Sequence, residues 1–292
     1  MIEWCGIDTL YWFQSVRESI PFLEDFFLAV SSSPVYLALP MMIACAFYWM
    51  VDKRKGEVIL LSFVPAMVFT KMAKFAIDQP RPWDIDSNID RVPRAKIDGP
   101  ACPSGHTTIS TSAFGSIALV GNNRKLTVVM VVLIILVINA RLFLCVHTPL
   151  DVTVGLIVGI AAIIVSWKAV ELSYRNDAMF YLVELLYGAF FTCIFILAIL
   201  VWDASRQDVL TDIGFVYGLL LGRALEHKYL NYEPKDYPNK EKILRYCAGM
   251  LVGATLLLAP AYFFHAIGAC VGAFLIMLWS VFLYPRILTR SS

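Results

Sequence analysis

Two histidines, three fixed cations, the Asp151 carboxylate and a Ser-Gly turn stand out in three short polar blocks set into apolar sequence between residues 74 and 151. The first block runs from Lys74 to Arg81 and Pro82. The second is Pro103-Ser104-Gly105-His106, and the third runs from Arg141 through His147 and Thr148-Pro149-Leu150 to Asp151. Residues of these types are what phosphoryl transfer requires. Cations and backbone N–H groups hold the phosphate oxygens, one imidazole attacks phosphorus, and another manages the leaving group's proton.

Taken singly, each block also has an ordinary structural reading. Ser104 directly precedes an apolar run, which places it at a helix N-cap with unpaired N–H groups behind it; that suits an anion, or merely a capped helix with His106 at the interface. Thr148-Pro149-Leu150-Asp151 matches a capping box with Pro149 at the first helical position. The same geometry turns Asp151 back toward His147, where a carboxylate can take one imidazole N–H and leave the other nitrogen nucleophilic. Lys74 and Arg81 are seven residues apart, about two helical turns. Pro80 and Pro82 are expected to end the helix and turn Arg81 inward over Lys74. The alternative is snorkelling to lipid phosphates, which suits Lys74 better than Arg81.

The elements that must position these blocks are apolar. Of 292 residues, 59% are hydrophobic and 16% charged, and mean hydropathy is +0.69. A soluble domain carries about a quarter charged residues. The apolar runs have the length that crosses a bilayer as helix, about 20 residues. Nine spans are expected, near 33–51, 57–77, 106–121, 125–143, 151–171, 179–201, 209–226, 244–262 and 267–287. The fold class is therefore an all-α polytopic transmembrane bundle. Residues 1–31 repeat apolar positions at helical intervals, but Arg17, Glu18, Glu24 and Asp25 make a span costly. An amphipathic helix along the interface or against the bundle is expected instead. Met1–Leu10 has no basic n-region, so no cleaved signal is expected.

Net charge is only +1, and nothing in it points to nucleic acid. Where the cations fall is more informative. Fifteen Lys and Arg lie in one set of alternate connections and the tail, against six on the other face: Arg17, Arg81, Arg91, Arg94, Lys96 and Arg206. The positive-inside rule makes the richer set cytoplasmic. The N-terminus, the 78–105 loop and the 144–150 turn then share the outer face, so all three blocks meet at one depth. The 227–243 loop reads as a solvated cytoplasmic connection, or as a contact for anionic headgroups.

No cluster of His, Cys, Asp or Glu has metal-ligand spacing, and the seven cysteines show no C-x-x-C pair. Cys102 and Cys145 flank the blocks and read as packing residues, or as a disulfide on an oxidising face. Glu184 is an intramembrane carboxylate near the cytoplasmic end of its span. It is a functional candidate by default, with snorkelling or ion pairing as the alternatives.

The ordered set Lys-x6-Arg-Pro, Pro-Ser-Gly-His and Arg-x5-His-x3-Asp in a polytopic chain resembles the type-2 phosphatidic acid phosphatase (lipid phosphate phosphatase) superfamily over residues 33–171. The resemblance implies a metal-independent membrane phosphatase acting through a phosphohistidine, without a cofactor. It implies His147 as nucleophile, Asp151 as its orienting partner and His106 as the acid for the leaving alcohol. Lys74, Arg81, Ser104, Gly105 and Arg141 are implied as the phosphate cradle. The family usually places Ser before the third-block Arg, where this chain has Ala140; one hydrogen bond to phosphate, about 1 kcal/mol, is at stake. Against the family's six-helix core, the chain divides into 1–31, a catalytic core 32–175 and additional C-terminal helices 176–292. Substrates in view are polyprenyl pyrophosphate, phosphatidic acid, phosphatidylglycerol phosphate and sphingoid phosphate, met at the outer face of the cell membrane. A phosphotransferase using the same site is the alternative. A lipid transporter would need inverted repeats or broken mid-membrane helices, and neither is visible.

Overall fold

The computed structural model describes residues 6–32, 34–95, 97, 99–201 and 206–290. Lys96 and the first five residues of the Met1–Leu10 stretch, named above, lie outside them. The described residues are mostly helical, and no strand occurs among them. Twelve α-helices follow in order. They are α1 Ile7–Ser19, α2 Phe22–Val30, α3 Leu39–Met50, α4 Lys53–Ile77, α5 Pro82–Ile85, α6 Gly105–Gly121, α7 Arg124–Phe143, α8 Pro149–Ser173, α9 Asp177–Leu200, α10 Arg206–Tyr229, α11 Asn239–Leu278 and α12 Tyr284–Arg290. The chain is an all-α polytopic helical bundle protein.

Six helical segments among the described residues are long and apolar enough to cross a membrane: Phe22–Met50, Lys53–Ile85, Arg124–Phe143, Pro149–Ser173, Asp177–Leu200 and Asn239–Arg290. The nine expected spans map onto these and two further helices. Asn239–Arg290 is 52 residues long and contains two of them, because the backbone leaves helical geometry at His265 (φ 49°, ψ −121°). A Cβ on Gly268 would lie 1.7 Å from the Pro260 carbonyl oxygen, so the two arms approach closely around that break. Helix α6 has 17 residues, and α10 carries Asp212, Arg223 and Glu226; length and charge keep these two outside the apolar set.

Two compact units divide the chain. The first comprises 1–41 and 59–166, the second 42–58 and 167–292.

In the first unit, α1 and α2 pack against α7 and the 85–97 loop. Ile7 and Leu10 are buried with Ile89 and Cys145, and Phe13 with Val92, Phe143, Leu144 and Val146. The charges that make a span costly here are mostly paired. Arg17 donates to the Asp90 carbonyl at 2.8 Å, and Arg94 reaches Glu24 at 3.0 Å and Asp25 at 2.6 Å.

In the second unit, buried charges pair with one another. The guanidinium of Arg223, fully buried, pairs with Glu184 and, at 3.4 Å, with Glu57. Lys53 pairs with Glu226 at 2.9 Å. For Glu184 the ion-pair alternative is the one observed. Removing one member of such a set strands an uncompensated buried charge, at about 3–5 kcal/mol.

Candidate active site

Four segments of the first unit bring the polar blocks together. Helix α4 ends at Ile77, and Asp78 takes a left-handed conformation (φ 46°) before the proline-bounded Arg81, which is extended (φ −74°, ψ 159°). The helix stops as its prolines demand, and Arg81 turns inward to 5% exposure. Its Nε donates to the Gly99 carbonyl at 2.8 Å and its Nη1 to the Val146 carbonyl at 2.9 Å. Lys74 donates to the carbonyls of Pro100 and Ala101 at 2.6 and 2.9 Å.

The second and third blocks are tied to each other. The Ser104 backbone N–H donates to the Asp151 carbonyl at 3.0 Å, joining the start of α6 to the start of α8. Gly155 allows the close approach, since a Cβ there would sit 2.8 Å from the Ser104 carbonyl oxygen. Ser104 occupies the N-cap position of α6, but its hydroxyl makes no capping bond. It is fully buried and accepts from Thr107 Oγ1 at 3.1 Å. A Cβ added at Gly105 would meet nothing nearer than Lys74 Cε at 3.9 Å, so space lies between the helix start and the lysine.

The capping box over Thr148–Asp151 forms as its sequence indicates. Thr148 N–H donates to Asp151 Oδ2 at 2.8 Å, and Asp151 N–H to Thr148 Oγ1 at 3.3 Å. That carboxylate oxygen is 3.5 Å from His147 Nδ1, beyond a good hydrogen bond. The other carboxylate oxygen accepts from Gln79 Nε2 at 3.0 Å. Asp151 thus faces the imidazole but is held mainly by Thr148 and Gln79. Catalytic hydrogen bonds of this kind commonly tighten only with substrate bound.

His147 Nε2 lies 3.3 Å from Arg81 Nη1. A guanidinium only donates, so this contact assigns the lone pair to Nε2 and the proton to Nδ1. Burial, and then the cations of Arg141, Lys74 and Arg81, push the imidazole well below its ordinary pKa. At neutral pH His147 is uncharged, with its basic nitrogen turned toward the arginine.

Arg141 is 2% exposed. Its Nη1 donates to the Ser31 hydroxyl, while Nε and Nη2 are buried without a hydrogen-bond partner among the described residues. Such donors are costly to bury unless something accepts from them. Ala140 is fully buried, and the hydroxyl that meets this guanidinium comes from Ser31. His106, in the first turn of α6, lies against Tyr36 with ring centroids 4.1 Å apart.

The structure therefore gathers all eight residues singled out in the sequence: Lys74, Arg81, Ser104, Gly105, His106, Arg141, His147 and Asp151. It adds Gln79, Ser31 and Tyr36. Gln79 sits inside the first block, where an amide two residues before the arginine was a readable signal; Ser31 and Tyr36 carry no local mark. Cys102 and Cys145 are both buried, and neither is in a disulfide. Among the described residues, no group of three or more His, Cys, Asp or Glu side chains is placed to hold a metal ion.

Comparison with known proteins gives two matches to family models. A PAP2 superfamily model matches residues 57–175, and a model for the transmembrane extension of PAP2 superfamily phosphatases matches residues 210–292. No curated protein and no solved structure matches the chain.

Proposed function

The chain belongs to the PAP2 superfamily and is an integral membrane phosphatase, and from that premise we propose that it hydrolyses a lipid phosphate or polyprenyl pyrophosphate through a phosphohistidine on His147. The observation that carries this reading is the pair of unpartnered Arg141 nitrogens, buried in the same site as an uncharged imidazole whose Nε2 meets a second arginine. Two parallel N–H donors on a planar guanidinium match two oxygens of a phosphate.

The chemistry runs in two displacements. His147 Nε2 attacks phosphorus, a nitrogen–phosphorus bond forms, and the ester oxygen–phosphorus bond breaks. Asp151 faces the Nδ1 proton and stabilises the positive imidazole ring as it develops. Lys74, Arg81, Arg141 and the N–H groups at the start of α6 hold the phosphoryl oxygens, whose charge spreads in the transition state. In this scheme His106 carries the proton needed by the leaving group. His106 gives that proton to the departing alkoxide, then takes one from the water that breaks the nitrogen–phosphorus bond. Inorganic phosphate leaves, and His147 is restored.

A panel of lipid phosphates, scored by inorganic phosphate release from purified protein without an acceptor, tests the reading. Release is expected to survive EDTA and to be blocked by vanadate, which mimics pentavalent phosphorus. Loss on chelation with rescue by a divalent ion would sink the mechanism. Release only in the presence of an added lipid alcohol would make the protein a phosphotransferase.

The same reading places the site at the outer face of the cell membrane, from the distribution of Lys and Arg. A cysteine introduced at 86–90 is expected to react with an impermeant reagent on intact cells, and one at 235–240 is not. The reverse labelling pattern would overturn the orientation.

A further inference from the structure

Residues 31–36 precede the matched catalytic region, which begins at residue 57, yet two of them touch its machinery. Ser31, at the C-terminal end of α2, is 7% exposed and accepts the Nη1 hydrogen bond of Arg141. The contact bridges 110 residues of sequence, so it is no accident of local chain geometry. Helix α2 is itself anchored beside it. Phe27 packs on Phe143 at 4.5 Å, and Glu24 and Asp25 hold Arg94. Five residues beyond Ser31, the Tyr36 ring lies 4.1 Å from the His106 imidazole at an interplanar angle of 39°.

We propose that Ser31 and Tyr36 are positioning residues of the active site: Ser31 sets the Arg141 fork for phosphate, and Tyr36 seats His106 for proton transfer. Of the three guanidinium nitrogens, Ser31 engages Nη1, and Nε and Nη2 are left together as the edge offered to substrate. Without that anchor, a buried arginine with no other hydrogen-bond partner among the described residues loses its defined orientation. A hydroxyl that accepts from the guanidinium also keeps its own proton, which a phosphate oxygen can take. Tyr36 acts through its ring face. Aromatic contact fixes an imidazole's plane without competing for its nitrogens.

This inference rests on the phosphatase reading, and vanadate binding separates the two. Calorimetry on the full-length protein in detergent should show vanadate binding that is weakened about tenfold in Ser31→Ala, the loss of one hydrogen bond to a charged group. KM for nitrophenyl phosphate should rise in parallel, and Ser31→Thr, which keeps the hydroxyl, should restore both. Tyr36→Phe should match the parent. Tyr36→Leu should lower kcat for an alkyl phosphate by about tenfold or more, the lower range of a general-acid contribution, and lower it much less for nitrophenyl phosphate. Unchanged vanadate affinity in Ser31→Ala, or equal weakening in Ser31→Ala and Ser31→Thr, would overturn the role of Ser31. Equal losses on both substrates in Tyr36→Leu would overturn the role of Tyr36. Parent protein that neither binds vanadate nor releases phosphate would refute the phosphatase reading itself.

Discussion

His147→Ala is expected to reduce phosphate release to background for every ester, whatever its leaving group. The nucleophile is common to all substrates, and the His147 Nε2 lies 3.3 Å from the Arg81 guanidinium. Loss of the nucleophile from a coupled catalytic set costs on the order of 10⁴–10⁶-fold. The side chain is 2% exposed, so its removal also opens a small cavity. His147→Asn, which retains a polar side chain there, separates the two effects. Both variants should lose turnover, and Asn should keep the thermal midpoint closer to the parent. Brief exposure to radiolabelled substrate, followed by denaturation, should leave label on the parent protein and none on either variant. A variant that still turned over or still took up label would remove His147 as the attacking group.

His106→Ala carries the second large effect, and it depends on the ester. An alkyl phosphate expels a poor alkoxide and needs its proton, a contribution of about 10²–10⁴-fold. A nitrophenolate leaves without that help, so the first step on this substrate should be far less impaired. Attack by water still requires a base, and the variant should therefore accumulate an acid-labile, base-stable phosphoenzyme on His147. A burst of nitrophenolate, stoichiometric with protein and followed by a slow phase, is the kinetic sign. Equal losses on both esters with no trapped phosphoenzyme would mean that the two histidines have exchanged roles.

Much of this site is legible in the sequence because its parts are local. A capping box is four residues long, and Thr148 and Asp151 carry it wherever the chain goes. Prolines around Arg81 stop α4 by removing donors and restricting the preceding residues. Apolar length reveals most of the spans for the same reason. What escapes a linear reading is contact between distant segments. Nothing near Ser31 announces an arginine 110 residues away, and nothing near Tyr36 announces His106. Geometry also refines the His147–Asp151 pair. The expected carboxylate–imidazole bond is a 3.5 Å approach, because Thr148 and Gln79 already engage the two carboxylate oxygens. In the N-terminal segment, charges that argue against membrane insertion find partners at Asp90 and Arg94, and composition alone has no means of pairing them.

The grouping of residues 42–58 with 167–292 has a consequence for biogenesis. Synthesis proceeds from the N-terminus, so Glu57, 2% exposed in the finished protein, enters an apolar setting long before Arg223, 166 residues downstream, exists. Lys53 likewise precedes Glu226. A fragment ending at 175 would contain every residue named in the chemistry but would lack Arg223 and Glu226, leaving Lys53 and Glu57, one helical turn apart on the helix that carries Lys74, only each other as partners. The C-terminal helices thus bring the buried partners of this helix last, after the whole catalytic sequence has been made.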